Sequence, residues 1–209
     1  MDQGLQDYQD QKKSIENFFP RFPSKPDFKG KTILEFGCGR GAFSIDLAKE
    51  NPKKIVGIDT KKEYIEFAKK SLEKNFSQYS NKVSYVCDDI NSWKTELKFD
   101  YIVTKEAFEH TIELKKVLNS MYNLLNPNGS IYAGFGPLYN FFNGDHGLTK
   151  AFLPWFHLIL PESFLLSKLN KTREKKINSI EDLGLNKYSL KEYKDFFYNS
   201  KFHIDFFKT

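Results

Sequence analysis

Cysteine and arginine are scarce in this sequence, and no long apolar run occurs in it. Two cysteines, Cys38 and Cys87, cannot build a disulfide framework, and each falls where a buried strand end is expected, so both read as free thiols. Only Arg21, Arg40 and Arg173 are arginines, the remaining basic residues being lysines. Planar, bidentate recognition of phosphate favours arginine, and the net charge of +5 is a modest excess. A nucleic-acid partner is therefore not expected. The longest apolar stretch, around 152 to 160, is broken by Pro154 and His157 and is too short to span a bilayer. The polar opening MDQGLQDYQDQKKSIENFF lacks the apolar run of a secretory signal, so a cytoplasmic location is expected.

What is present suits one globular domain across the 209 residues, with 40% hydrophobic and 28% charged residues. Short β-branched runs alternate with amphipathic helical patterns, the mark of crossover units and a parallel sheet. Strands are predicted at 31–36, 54–58, 82–87, 99–104 and 129–135. Helices are predicted to begin near Ala42, Lys61 and Ile112. In the second, Tyr64, Ile65, Ala68 and Leu72 recur on one face, and in the third Leu114, Val117, Leu118, Met121 and Leu125 do so. Asn126-Pro127-Asn128-Gly129 is expected to stop that third helix. Residues 1–28 read as an N-terminal helical extension. Residues 137–186, rich in aromatics and leucine, read as a cap inserted after strand five, and a helix at 189–199 and a strand at 202–207 follow. The expected fold is a Rossmann-like, doubly wound, mostly parallel α/β sheet with helices on both faces.

The strongest chemical signal is Ile33-Leu34-Glu35-Phe36-Gly37-Cys38-Gly39-Arg40-Gly41, a buried strand entering a glycine turn and then a helix. Glycine is needed where backbone adopts positive φ or approaches a ligand, and the helix beyond offers free amides to an anionic group, here a carboxylate. Eighteen residues after Gly41, Gly57-Ile58-Asp59 places a carboxylate where it can accept hydrogen bonds from both hydroxyls of a ribose. Asp59 as a helix cap before Lys61 is the other reading. Together the two features read as a nucleoside site, although Gly37, Gly39 and Ala42 also satisfy the dinucleotide pattern of a dehydrogenase.

The full series resembles the class I S-adenosylmethionine-dependent methyltransferase family over roughly residues 30 to 136. Glu35 stands two positions before the glycine turn, as an acidic residue does in that family. Cys87-Asp88-Asp89-Ile90 matches its acidic end of strand three, Phe99-Asp100-Tyr101-Ile102-Val103 its strand four, and Pro127-Asn128-Gly129 the turn opening strand five. The resemblance implies that Glu35, Gly37, Cys38, Gly39, Asp59, Thr60, Asp88, Asp89, Ile90, Lys105 and Glu106 serve S-adenosylmethionine. Asp89 would receive the adenine amino group, with Asp88 as the fallback. The family commonly has a seventh, antiparallel strand, which has no counterpart in the pattern here, and the oligomeric state stays open.

Thr104-Lys105-Glu106-Ala107-Phe108-Glu109-His110 lacks the Asn-Pro-Pro-aromatic or Asp-Pro-Pro-aromatic signature of amino-directed nucleic-acid methyltransferases. Its Glu106, Glu109 and His110 also look like the segment of quinone-ring O-methyltransferases where a divalent metal can gather, but no further ligand can be assigned and no metal is expected. Asn143-Gly144-Asp145-His146-Gly147 supplies a second constellation, in which His146, oriented by Asp145, or else His110, would take the acceptor proton. A plain turn with a packing histidine is the alternative. The expected function is methyl transfer to a small-molecule acceptor at oxygen. Its rivals are an RNA methyltransferase, an NAD-dependent dehydrogenase and a non-catalytic nucleoside-binding module. The apolar residues of the cap are expected to form core or acceptor wall. The run from Lys171 to Lys176 reads as a solvated helix end, with an anionic membrane surface as the other reading.

Overall fold

A computed structural model describes residues 15–149, 153 and 155–209. Within it the chain divides into two compact units. The first comprises residues up to Lys105, Val117–Gly134 and Ile204–Thr209, and the second Glu106–Lys116 with Phe135–His203.

The first unit is built on five parallel strands: β1 (Thr32–Phe36), β2 (Lys54–Asp59), β3 (Val83–Cys87), β4 (Phe99–Lys105) and β5 (Leu125–Gly134). Their order is β3-β2-β1-β4-β5. The central strands read as near-continuous apolar runs because they are buried on both faces and so need no polar alternation; Ile33, Leu34, Ile55, Val56, Ile102 and Val103 are all enclosed. Helices α1 (Ala42–Ala48) and α2 (Lys62–Asn75) pack against β2 and β3. α2 buries Ile65, Ala68 and Leu72, with Tyr64 half-buried beside them, which is the face its periodicity predicts. α3 (Leu114–Leu124) likewise buries Leu114, Val117, Leu118 and Met121. Right-handed crossovers from a sheet whose order reverses at β1 put α1 and α2 on one face and α3 on the other.

Three expectations change. Leu125 leaves α3 and begins β5 directly, so Asn126-Pro127-Asn128-Gly129 is a bulge inside the strand and not the turn before it. The register steps there from Phe99↔Leu125 to Tyr101↔Ser130. Asp100 locks the bulge, accepting from the Asn126 side-chain amide (3.1 Å) and from the Thr32 amide at the start of β1 (2.8 Å). Residues 202–207, expected to form a strand, do not join the five-stranded sheet, and Phe206 sets its ring against Phe22. Of the N-terminal helical extension, residues 1–14 lie outside the described ones; the rest contributes a 3-10 turn at Phe19–Arg21 and an aromatic cluster. In that cluster Phe18 and Phe28 are enclosed, meeting Phe43 and Tyr101 edge to face.

The second unit holds the residues expected to form the cap. It contains the single turn α4 (Phe156–Ile159), α5 (Glu162–Asn170) and α6 (Leu190–Tyr198). Phe152 and Pro154 of the expected apolar cap lie outside the described residues. α6 starts at a full capping box, Ser189 accepting from the Glu192 amide while Glu192 accepts from the Ser189 amide (2.8 Å). Asn186 ties the unit together. Its side-chain amide donates to Phe108 O (2.6 Å) and Thr111 O (2.9 Å), and its carbonyl oxygen accepts from the buried Tyr193 hydroxyl (3.0 Å).

Candidate functional site

In an open α/β sheet the crevice for a ligand lies beyond the carboxyl ends of the strands where the strand order reverses. Here that place is between β1 and β4, with Phe36 in register with Thr104. From Phe36 the chain turns through Gly37, Gly39 and Gly41, whose φ values of 69, 51 and 85° lie in the region only glycine enters without strain. The turn is stitched to the end of β2: Gly37 N and Cys38 N both donate to Ile58 O (2.9 and 3.1 Å), and Gly39 N donates to Asp59 Oδ2 (2.9 Å). Sterics impose a second demand for glycine. The Tyr85 ring from β3 lies against both Gly41 and Gly57, its hydroxyl donating to Gly41 O (3.0 Å). A Cβ at Gly57 would sit 2.8 Å from that ring, and one at Gly41 2.7 Å from its Cζ. Gly57, inside a strand, was a legible signal of close approach; the tyrosine that approaches was not.

Asp59 does two things. Oδ2 holds Gly39, and Oδ1 accepts from Lys61 N (2.9 Å), the residue before α2, so Asp59 braces the chain entering that helix and does not cap its first turn, as the other reading had it. A carboxylate has about four lone-pair directions, which leaves about two for hydroxyl donors. Thr60 beside it is exposed. After β3, Asp88 Oδ1 accepts from Asp89 N (2.8 Å) and Ser92 Oγ (3.2 Å), and Asp89 Oδ1 from Asn91 N (2.8 Å). Asp89 is the more open carboxylate, Asp88 is half-buried, and Ile90 is enclosed. Cys38 is buried, and burial pushes its thiol well up. Cys87, expected to be buried, is exposed, because it closes an outer strand of the sheet.

Glu35 is the largest departure in this unit. It is enclosed, and its carboxyl receives the Ser44 hydroxyl and is further bonded by the Ser44 amide. The first turn of α1 therefore has a carboxyl of the chain's own, where the sequence had suggested one from a ligand. Burial raises Glu35 to about 8, the Ser44 bonds opposing the shift and the Asp59 charge adding to it, while Lys105 at the end of β4 opposes it. Next to this, Thr104 Oγ1 is buried with no hydrogen-bond partner among the described residues, an orphan hydroxyl at the point of reversal.

In the second unit Glu106 is exposed at φ 54°. Glu109 is buried, with Oε1 accepting from Gly136 N (3.0 Å) and Oε2 unpartnered among the described residues. Burial lifts it to about 7, against the pull of its Gly136 bond and of His146. His110 Nδ1 faces Gly184 O at 2.6 Å, and His146 Nε2 faces Pro137 O at 3.0 Å. Their rings lie 5.3 Å apart, so the structure brings together the two histidines that the sequence could only name as alternatives. It does not pair His146 with Asp145. Asp145 points inward, its Oδ2 receiving the Thr149 hydroxyl and amide and its Oδ1 lying 3.8 Å from His157 Nδ1. A one-residue separation in a turn sends neighbouring side chains apart, and the buried one found His157, which no spacing pointed to. Among the described residues no group of three histidine, cysteine, aspartate or glutamate side chains is placed to hold a metal, so Glu106, Glu109 and His110 do not form the cluster that the quinone-ring resemblance implied.

Compared with known protein families, residues 27–135 match one described as a methyltransferase domain, slightly more than half of the chain. The chain belongs to that methyltransferase-domain family. The match covers β1 to β5 and so includes the glycine turn and Asp59. Among curated relatives, a malonyl-[acyl-carrier protein] O-methyltransferase of Priestia megaterium is 33% identical over 106 residues, 50% of this chain and 36% of the relative. A ubiquinone biosynthesis O-methyltransferase of Coxiella burnetii is 31% identical over 105 residues, 50% of this chain and 43% of the relative. The chain thus spans less than half the length of these relatives. A solved S-adenosylmethionine-dependent methyltransferase of Clostridium acetobutylicum aligns over 65% of this chain and 50% of its own, with 22% identity and a TM-score of 0.47.

S-adenosylmethionine is the cofactor of this methyltransferase domain, and the residues present fit it. Asp59 keeps lone pairs for a ribose, Gly37, Gly39 and Gly41 add no side chains to the turn, and Thr104 offers an unused hydroxyl.

Proposed function

We propose that the chain transfers the sulfonium methyl group of S-adenosylmethionine to an oxygen of a small-molecule acceptor. The observation that carries this reading is the Asp59 carboxylate fastened to the Gly39 amide at the sheet's point of reversal, inside the stretch that matches the methyltransferase domain. Bound there, the cofactor supplies a methyl group already activated by positive sulfur. The chain's own tasks are then to orient and to handle a proton. Asp59 accepts from the ribose hydroxyls, and Asp89, with Asp88 in reserve and Ile90 as an apolar wall, receives the adenine amino group. Gly37, Cys38, Gly39, Thr60, Lys105 and Glu106 line the cofactor, and Glu35 holds the turn's geometry through Ser44. His110 and His146 each turn one ring nitrogen to a backbone carbonyl, which makes that nitrogen the donor and leaves the other with a lone pair for the acceptor proton. Asp145 serves this pair by fixing the loop from which His146 springs. Attack by oxygen on a small acceptor is supported by the two O-methyltransferases to which the chain is similar and by the missing Pro-Pro signature after β4.

Titration calorimetry tests the cofactor half: S-adenosylmethionine should bind, NAD should not, and Asp59→Ala should weaken binding by about 1.5–3 kcal/mol, the worth of hydrogen bonds to a charged group. Unchanged affinity in that variant would remove Asp59 from the site. For the proton, His146→Ala and His110→Ala should each lower kcat with a true acceptor and leave cofactor affinity as it was; a rate untouched by both rules out imidazole as the base.

A further inference from the structure

α4 is built the wrong way round for a helical turn in a core. Its one inward residue is His157, whose Nε2 donates to Tyr139 O (2.7 Å) and whose ring meets Tyr139 edge-on at 5.0 Å. The apolar residues around it face out: Trp155 is 49% exposed and Ile159 70%. Trp155 also adopts φ 59°, a conformation a bulky residue takes only when its surroundings enforce it, and Phe142, itself half-exposed, packs edge-on against the indole at 5.3 Å. Phe164, at the start of α5, is 55% exposed as well. Scattered exposed apolar residues need no explanation, but a run of them around a buried histidine does.

The charge beside this patch is mostly basic. From Phe164 to Lys176 the sequence carries five basic residues and one acidic, Glu174. Phe164 and Lys168 of α5 and its helical C-cap residue Lys171 follow at four- and three-residue spacing and so share a face, next to the one that buries Leu165 and Leu169. Three acids of this region are engaged: Glu162 (3.1 Å) and Glu181 (2.8 Å) both bind Lys187, and Asp182, which lies within the field of Lys175, accepts from the Asn178 and Ser179 amides (2.7 and 3.2 Å). An apolar surface with an indole at its edge, continued by exposed lysines, is the composition that seats in a lipid interface with anionic headgroups. A second copy of this chain would bring the same cations against themselves, and an uncharged partner would leave them unused.

We propose that the α4–α5 surface docks peripherally on an anionic lipid bilayer, Trp155, Ile159 and Phe164 entering the headgroup boundary while Lys168, Lys171, Lys175 and Lys176 meet lipid phosphates. No helix among the described residues is long and apolar enough to cross a membrane, so the contact is one of surface. Co-sedimentation of the full chain, without S-adenosylmethionine, tests this independently of methyl transfer. Vesicles of phosphatidylcholine with one-third phosphatidylglycerol should retain the protein and pure phosphatidylcholine should not. The double variant Ile159→Asp/Phe164→Asp should lose at least about tenfold in partitioning, the size expected for withdrawing two large apolar groups. Neutralising Lys171 and Lys175 to Gln should cost about fivefold each, and added salt should act likewise. Because all these residues are exposed, melting curves should match the parent's. Bromine-labelled acyl chains should quench the wild-type indole fluorescence, and Trp155→Phe should remove that quenching. Retention that is equal on neutral vesicles, absent on anionic ones, or unaltered in the Asp variant overturns the proposal. So does an unquenched Trp155, or a dimer in light scattering that the Asp variant abolishes, which would assign the patch to a second copy.

Discussion

In the sheet unit Glu35, Ser44, Ser71 and Thr104 are enclosed within a large apolar core that includes Ile33, Leu34, Ile55, Ile58 and Val103, whereas in the second unit Glu109, Asp145, Thr149, His157 and Asn186 share a smaller one with residues such as Leu165, Ile180 and Leu185. The first is specified by apolar area, a non-directional force that tolerates small shifts. The second leans more heavily on buried hydrogen bonds, which lose their value when geometry slips and leave costly orphans when one partner goes. The two units should therefore fail differently. Removal of one polar side chain should hurt the second unit more than loss of a methyl group hurts the first.

Asn186→Ala tests this most severely. It orphans the Thr111 carbonyl and leaves Phe108 O and the Tyr193 hydroxyl with only each other (3.1 Å), and at about 1–3 kcal/mol for the orphaned group and about 1 kcal/mol for each further bond lost the loss should be about 3–4 kcal/mol. Amide exchange should show the opening in 106–116 and 135–203 while β1 to β4 stay protected; an exchange pattern raised evenly over both units would erase the distinction.

Each unit also encloses one glutamic acid, and their titration sharpens the comparison. Glu35 is raised to about 8 and Glu109 to about 7, so the folded state binds protons that the unfolded chain, near 4.5, has released. Stability is therefore fullest below about 4.5 and falls as pH rises, through about 7 for Glu109 and about 8 for Glu35. Glu35→Gln mimics the protonated carboxyl and keeps an acceptor for Ser44. It should remove about 3 kcal/mol of the decline between pH 5 and 8, as seen in denaturant midpoints. Glu109→Gln should remove less, and over a window that closes a unit earlier. If neither variant flattens the profile, the two carboxyls ionise normally. At the small end, Ser189→Ala breaks the capping box of α6 and should cost about 1 kcal/mol, a change in melting temperature of a few degrees with no change in cofactor affinity.

The sequence was most readable where one force acts along one element. The spacing of Ile65, Ala68 and Leu72 marked the buried face of α2, and the positive φ at Gly37, Gly39 and Gly41 followed from their place between a strand and a helix. It was least readable where a partner comes from far along the chain. Ser44 for Glu35, Tyr85 for Gly41 and Gly57, His157 for Asp145 and Asn186 for Phe108 have no periodicity to give them away. The bulge at Asn126–Gly129 misled for a related reason, since a turn signature inside a strand depends on Asp100 being there to receive it.

Local composition, periodicity and motif spacing by themselves determined the parallel sheet, the glycine turn and the position of Asp59, because strand burial and backbone freedom are properties of neighbouring residues. Tertiary structure alone decided that Glu35 turns inward to Ser44, that Asp145 leaves His146 for His157, and that α4 presents its apolar residues outward. Those outcomes depend on which distant polar group reaches a buried site first, and a hydrogen bond, unlike a hydrophobic stripe, leaves no pattern in the chain that makes it.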